Sequence, residues 1–131
     1  MNPKIIFEDN HLLVVNKPPG MLSQGDSTGD LSLLDYLKNL IKKRDKKTGN
    51  VFLGLPHRLD RPTSGIIVLA KSSKSLRRLN KIFSNNEIIK IYWVIIEGKP
   101  ASDKKRLIHY LKRNRKICLL YTSPSPRDIS R

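Results

Sequence analysis

The sequence predicts one domain that mixes α and β structure, and three observations carry that expectation. Apolar runs too short for helices, at 12–15 and 66–70, are bounded by turn residues, as strands are. Leucine-rich stretches after each of them repeat at helical spacing. Strands and helices interleave along the chain, with no internal repeat and no linker long enough to split it.

Taken in order, Ile5, Ile6 and Phe7, a turn at Glu8-Asp9-Asn10, and Leu12-Leu13-Val14-Val15 predict a β-hairpin. Asn16-Lys17-Pro18-Pro19-Gly20 stops it, because a proline has no N–H to give to a ladder. A polar, glycine-containing loop follows over 23–30. Leu31, Leu34, Leu37, Leu40 and Ile41 then recur as one helix face, with Asp30 or Ser32 as its cap and Lys42-Lys43-Arg44 at its negative end. Residues 45–50 form a charged loop, and 51–55 a short apolar piece leading to Pro56 and His57. The run 66–70 does not alternate, which predicts a central, buried strand. A second helix runs from a Ser72 or Ser73 cap to about Phe83, with Leu76, Leu79, Ile82 and Phe83 as its buried stripe. Residues 88–97, rich in β-branched and aromatic side chains, predict a long strand, and 106–111 another. Residues 118–131 break the pattern and are similar to a peptide produced by translating through a sequencing adaptor. They are expected to be a non-native or disordered tail on a domain spanning 1–117, the authentic sequence continuing differently past Lys116.

Charge narrows the function. The chain carries 26 Lys and Arg against 11 Asp and Glu, a net +15. Self-repulsion on that scale opposes folding and points to a polyanionic partner. The cations are spread along the sequence, so they predict a basic face on a folded body rather than a tail. Nucleic acid fits better than an anionic membrane, since no basic helix carries Trp or Phe on an apolar face. Cys118 is alone and His11, His57 and His109 are far apart, so neither a disulfide nor a metal site is expected. The longest apolar run, 91–96, is too short to span a bilayer, and no signal peptide is recognisable; a cytoplasmic monomer is expected.

The chemistry concentrates in His57-Arg58-Leu59-Asp60-Arg61-Pro62-Thr63-Ser64-Gly65. One carboxylate sits on a short loop among cations, at the mouth of the apolar run 66–70. Arg58 and Arg61 beside Asp60 would hold it ionised. An ionised Asp against a nucleic acid can attack an electrophilic carbon or hold a base by hydrogen bonds. The plainer alternative is a loop salt bridge or an Asx turn. Gly65 permits backbone geometry closed to other residues, and Thr63 and Ser64 can bond the loop locally.

This string resembles the His-Arg-Leu-Asp signature of the RluA-type pseudouridine synthases. Val14-Val15-Asn16-Lys17-Pro18-Pro19-Gly20-Met21 resembles the family's opening hairpin and turn. Lys90-Ile91-Tyr92-Trp93-Val94-Ile95-Ile96-Glu97-Gly98 resembles its Lys-x-Tyr strand, in matching order and spacing. The resemblance implies an α+β fold with a mixed, mainly antiparallel sheet and flanking helices. It implies conversion of uridine to pseudouridine in ribosomal or transfer RNA, with neither metal nor redox cofactor. Asp60 would be the nucleophile, and Tyr92 would stack on the flipped base and serve as general base. Arg58 would fill the gap in the RNA stack. Among further RNA contacts it suggests Arg61 and, ranked first of the basic clusters, Lys112 and Arg113. Lys17 would support the fold or meet a phosphate, and His57, Thr63 and Gly65 would shape the loop. The family's basic partner for the catalytic Asp and its late segment near the uracil pocket have no counterpart here. That predicts a C-terminally truncated chain with weak or no activity. The rival class is a non-catalytic basic RNA-binding protein. A DNA-binding helix-turn-helix is disfavoured by the strand-like segments between the helices.

Overall fold

The computed structural model describes residues 2–114 and 119–123. Two compact units divide the chain, Met1–Ile91 and Tyr92–Arg131.

The first unit is built on a three-stranded antiparallel sheet, in the order β1 (Lys4–Glu8), β2 (Leu12–Lys17), β3 (Gly65–Ala70). The hairpin forms where the sequence predicts it. Asp9 Oδ1 accepts from the backbone N–H groups of His11 (2.7 Å) and Leu12 (2.6 Å), which closes the turn. Helix α1 (Leu33–Arg44) begins at Ser32, whose hydroxyl caps Asp35 N–H; Leu31 stays outside the helix and exposed. Helix α2 (Ser73–Ser84) is capped by Ser72. Leu33, Leu37 and Ile41 recur every four residues and face Leu13, Val15, Ile67 and Leu69 of the sheet, which together with Leu53 and Leu59 make the core. The stripe expected on α2 is only half-buried, and Ser75 alone on that helix is buried. Gly54 exchanges two backbone hydrogen bonds with Ala70 (2.8 and 2.9 Å) beneath this helix. A Cβ there would lie 2.7 Å from Leu76 Cδ2, so glycine allows the approach.

Away from the Asp60 loop, three elements are joined by charge. Glu8 at the end of β1 takes a two-pronged contact from Arg44 of α1 (2.6 and 2.9 Å) and a third bond from Lys71 after β3 (2.8 Å). These cations pull the Glu8 carboxyl down to about 2 from its ordinary 4.5. A depressed carboxyl stabilises the fold above pH 4.5 and loses that contribution as the pH falls toward 2. The full shift would correspond to about 3 kcal/mol, and Arg44 is 43% exposed, so screening leaves about 1–2 kcal/mol. Glu8→Gln is therefore expected to lower stability by that amount at neutral pH and to flatten the acid limb of a melting-temperature profile. Parallel profiles for the two proteins between pH 4.5 and 2 would refute the linkage.

The second unit contains the antiparallel pair β4 (Tyr110–Asn114) and β5 (Leu119–Ser123). Two expectations are corrected here. The strand predicted over 106–111 starts later, at Tyr110. Within the tail expected to be non-native or disordered, Leu119–Ser123 forms a strand; Cys118 and 124–131 lie outside the described residues. Residues 88–97 belong to no strand, and Ile89, Ile91 and Trp93–Ile95 are almost fully exposed. Strand preference reflects the fit of a side chain to a half-buried pleated surface, and among the described residues no backbone pairs with this stretch.

Candidate active site

Leu59 and Arg61, on either side of Asp60, are hydrogen-bonded to the segment that follows β2, and their placement starts with a buried lysine. Leu13, Val15 and Lys17 are every second residue of β2, so all three point to the core face. Lys17 is wholly buried at the end of the strand. Its ammonium donates to the carbonyls of Met21 (2.8 Å), Pro18 (3.1 Å) and Arg61 (3.2 Å). These bonds to three backbone carbonyls are contacts of the supporting kind. Burial pushes the ammonium below its usual range, and the Asp60 charge pulls it partly back.

The flanks of Asp60 are held separately. Ser23 Oγ donates to Leu59 C=O (2.6 Å) and accepts from Leu59 N–H (3.1 Å). Gly20 N–H donates to Arg61 C=O (2.8 Å), and Arg61 Nε returns a bond to Gly20 C=O (3.0 Å). Leu59 is buried in the core and its neighbour Asp60 is exposed, so the side chain that follows the anchor faces solvent. Thr63 N–H closes the turn on Asp60 C=O (3.0 Å). Backbone, not the Thr63 or Ser64 hydroxyl expected from sequence, makes this local bond. Gly65 enters β3 at φ +139, a conformation that L side chains rarely adopt.

His57 ties the loop to the rest of the unit. Its Nε2 accepts from Val68 N–H of β3 (3.0 Å), and its ring stacks on Phe83 of α2 at 4.6 Å. An accepting nitrogen must be unprotonated. Burial, helped by the nearby Lys90 charge, accordingly pushes this imidazole below its ordinary range.

The arginines expected around Asp60 do not pair with it. Among the described residues Asp60 makes no ion pair. Arg61, expected at the carboxylate and on RNA, turns its guanidinium to Asp30 (2.8 Å) and to Gly20. Arg58 is exposed and unpaired among the described residues. Chain adjacency does not bring side chains together, because successive side chains leave the backbone in different directions. Lys17, Asp60, Arg61, Gly65 and His57 thus share one loop and its supports. Tyr92, Lys112 and Arg113 belong to the second unit. Tyr92 there is exposed in irregular backbone, and the two cations lie on β4, where side chains are outside the described residues.

Sequence reasoning missed Ser23 and Gly20, which looked like loop residues. Lys17 carried a usable signal, since its parity with Leu13 and Val15 puts it on the buried face. Chemically, the site offers an exposed carboxylate free of competing partners among the described residues, on backbone held at both flanks. No group of three or more His, Cys, Asp or Glu residues able to hold a metal occurs among the described residues, and no helix there is long and apolar enough to cross a membrane.

Comparison with known proteins bears on these features. Residues 11–128 match the model of the family described as RNA pseudouridylate synthase. An uncharacterized RNA pseudouridine synthase of Mycoplasma genitalium is 39% identical over 102 residues, covering 73% of this chain and 31% of that protein. The ribosomal large subunit pseudouridine synthase C of Buchnera aphidicola subsp. Acyrthosiphon pisum is 37% identical over 130 residues, 95% of this chain and 40% of the relative. The chain thus spans well under half the length of these curated relatives. The solved structure of human RNA pseudouridylate synthase domain containing 4 superposes with a TM-score of 0.55 at 31% identity, over 64% of this chain and 30% of that one.

Proposed function

The chain belongs to the RNA pseudouridylate synthase family as an RluA-type member, and we propose that it isomerises uridine to pseudouridine in RNA with Asp60 as the nucleophile. The observation that carries this is the Asp60 carboxylate itself, exposed, unpaired among the described residues and held through Leu59 and Arg61 on either side. A carboxylate on a cationic protein repels phosphate, so a pure RNA binder gives it no task. A nucleophile needs those properties: solvent access to reach the substrate, and a fixed backbone so that little ordering is left for the transition state.

The target uridine leaves the RNA stack at a cost of a few kcal/mol, and Arg58, exposed two residues before Asp60, occupies the gap. Asp60 then attacks either the uracil ring or the sugar carbon. The bond from base nitrogen to sugar breaks, the uracil rotates, and its C5 bonds to the sugar carbon; the bond to Asp60 breaks to return the free carboxylate, and the released base nitrogen ends protonated. The C5 hydrogen leaves as a proton, with Tyr92 stacking on the base and serving as its acceptor. No electron is gained or lost, so the balance needs no redox partner. The substrate is ribosomal or transfer RNA, with Lys112 and Arg113 as phosphate contacts supported by the net charge of +15.

Loss of the C5 hydrogen supplies the assay. Incubated with bulk cellular RNA tritiated at uridine C5, the 131-residue chain, which spans under half the length of its curated relatives, is expected to release tritium to water weakly but in proportion to pseudouridine formed. No release above a buffer control, with RNA bound, would overturn the proposal for this chain.

A further inference from the structure

We propose that Ser23 is a positioning residue for the reaction, setting where the Asp60 carboxylate stands by holding both backbone groups of Leu59. This inference rests on Asp60 acting as the nucleophile.

Leu59 lies outside every strand, so its N–H and C=O have no ladder partners, yet the residue is 91% buried, being 9% exposed. Buried backbone groups need partners, and here a single atom serves both. Ser23 Oγ gives its proton to Leu59 C=O and takes the Leu59 N–H on a lone pair. Only a hydroxyl can donate and accept at one point in this way, and Ser23 is itself buried, so water does not compete.

The anchor is itself fixed. Leu33 N–H donates to Leu22 C=O (2.7 Å) and Leu34 N–H to Ser23 C=O (3.3 Å), using donors that the first turn of α1 cannot satisfy internally. Gly20 meets Arg61 and Ser23 meets Leu59, so one index rises as the other falls and the two segments run antiparallel. Asp60 sits between the two contacts. A hydroxyl thus replaces a ladder bond on one side of the nucleophile, while the other side is held by backbone and Lys17. If Ser23 is lost, Leu59 is freed on the side nearer the core, and the carboxylate direction becomes a distribution. Such loosening acts on alignment at the reacting carbon and leaves the exposed cations that meet RNA in place.

Pseudouridine formation by the full 131-residue chain, read by tritium release, and backbone amide exchange are measured in wild type, Ser23→Ala and Ser23→Thr. Ser23→Ala is expected to lower kcat at least tenfold with KM changed by less than twofold, and to speed Leu59 amide exchange at least tenfold while Val15 and Leu69 exchange as before. Ser23→Thr, which keeps the hydroxyl, is expected to recover most of kcat and the Leu59 protection. Equal kcat in wild type and Ser23→Ala, or a loss in KM alone, overturns the positioning role. Should wild type form no pseudouridine, the catalytic reading fails; the exchange arm still decides whether Ser23 holds Leu59, and an unchanged Leu59 rate overturns that. Should Ser23→Ala not fold, the wild-type Leu59 amide must still be protected at least a hundredfold over an open amide, and an unprotected one overturns the inference.

Discussion

Asp60→Ala is expected to abolish pseudouridine formation, lowering kcat by on the order of 10⁴-fold or more, and to leave RNA affinity unchanged or slightly higher. The size follows from the role, because no neighbouring carboxylate on the loop can take over the covalent step. The fold should tolerate the change. The Asp60 side chain is exposed and makes no ion pair among the described residues, while the Thr63 N–H bond goes to its backbone carbonyl and survives. Affinity should hold or rise because an anion is removed from a surface that faces phosphate. One further effect would be diagnostic. Asp60 is the charge that partly offsets the burial of Lys17, so the variant should depress the lysine further. Filter binding and tritium release on the same preparations test the pair of outcomes. A variant that retains more than a tenth of wild-type turnover would remove Asp60 from the nucleophile's role, and one that lost RNA binding in parallel would indicate a structural carboxylate.

The largest effect on stability is expected at Lys17. Lys17→Met keeps the length of the side chain and removes the charge, so two opposing terms compete. Burying an ammonium is unfavourable, the same desolvation that pushes Lys17 below its usual range, and the variant recovers that part. Against it stand the carbonyls of Pro18 and Met21, which lose the ammonium; Arg61 C=O keeps Gly20 N–H. Unmet buried acceptors cost about 1–3 kcal/mol each, and a backbone carbonyl cannot be swapped for something apolar. The carbonyl term wins, for a net loss of about 2–4 kcal/mol. In a unit of this size that lowers Tm by about 10–20 °C. It is also a large fraction of the roughly 5–15 kcal/mol that holds a domain together. Thermal melts in parallel with wild type decide the matter, and a Tm within 2 °C would show that the carbonyls find other donors.

How much of this was legible beforehand depends on the range of the interaction. The hairpin, both helices and their capping region were readable because each follows from signals within a few residues. Asp9 closes its own turn, and Ser32 and Ser72 cap three residues ahead; on the first helix the spacing was legible but not its phase, since Leu37 and Ile41 of the expected face are buried with Leu33 rather than Leu31, Leu34 and Leu40. The stretch 88–97 shows the opposite case. Its composition favours a strand, but a strand is a pairing, and no partner backbone among the described residues supplies one. The expected ring of arginines around Asp60 failed for a related reason, because Arg61 found Asp30 rather than its sequence neighbour.

By itself, then, the sequence determined the family, the order of the first five elements, the basic character and the loop that carries Asp60. Tertiary structure alone decided what holds that loop. Ser23 reaches Leu59 across 36 positions, Gly20 reaches Arg61 across 41 and Lys17 reaches Arg61 across 44. Such bonds leave no periodic trace in the chain, since they depend on where two turns are carried by the sheet and α1. Local propensity is set by near neighbours, whereas a bracket around a single carboxylate exists only after the core has closed.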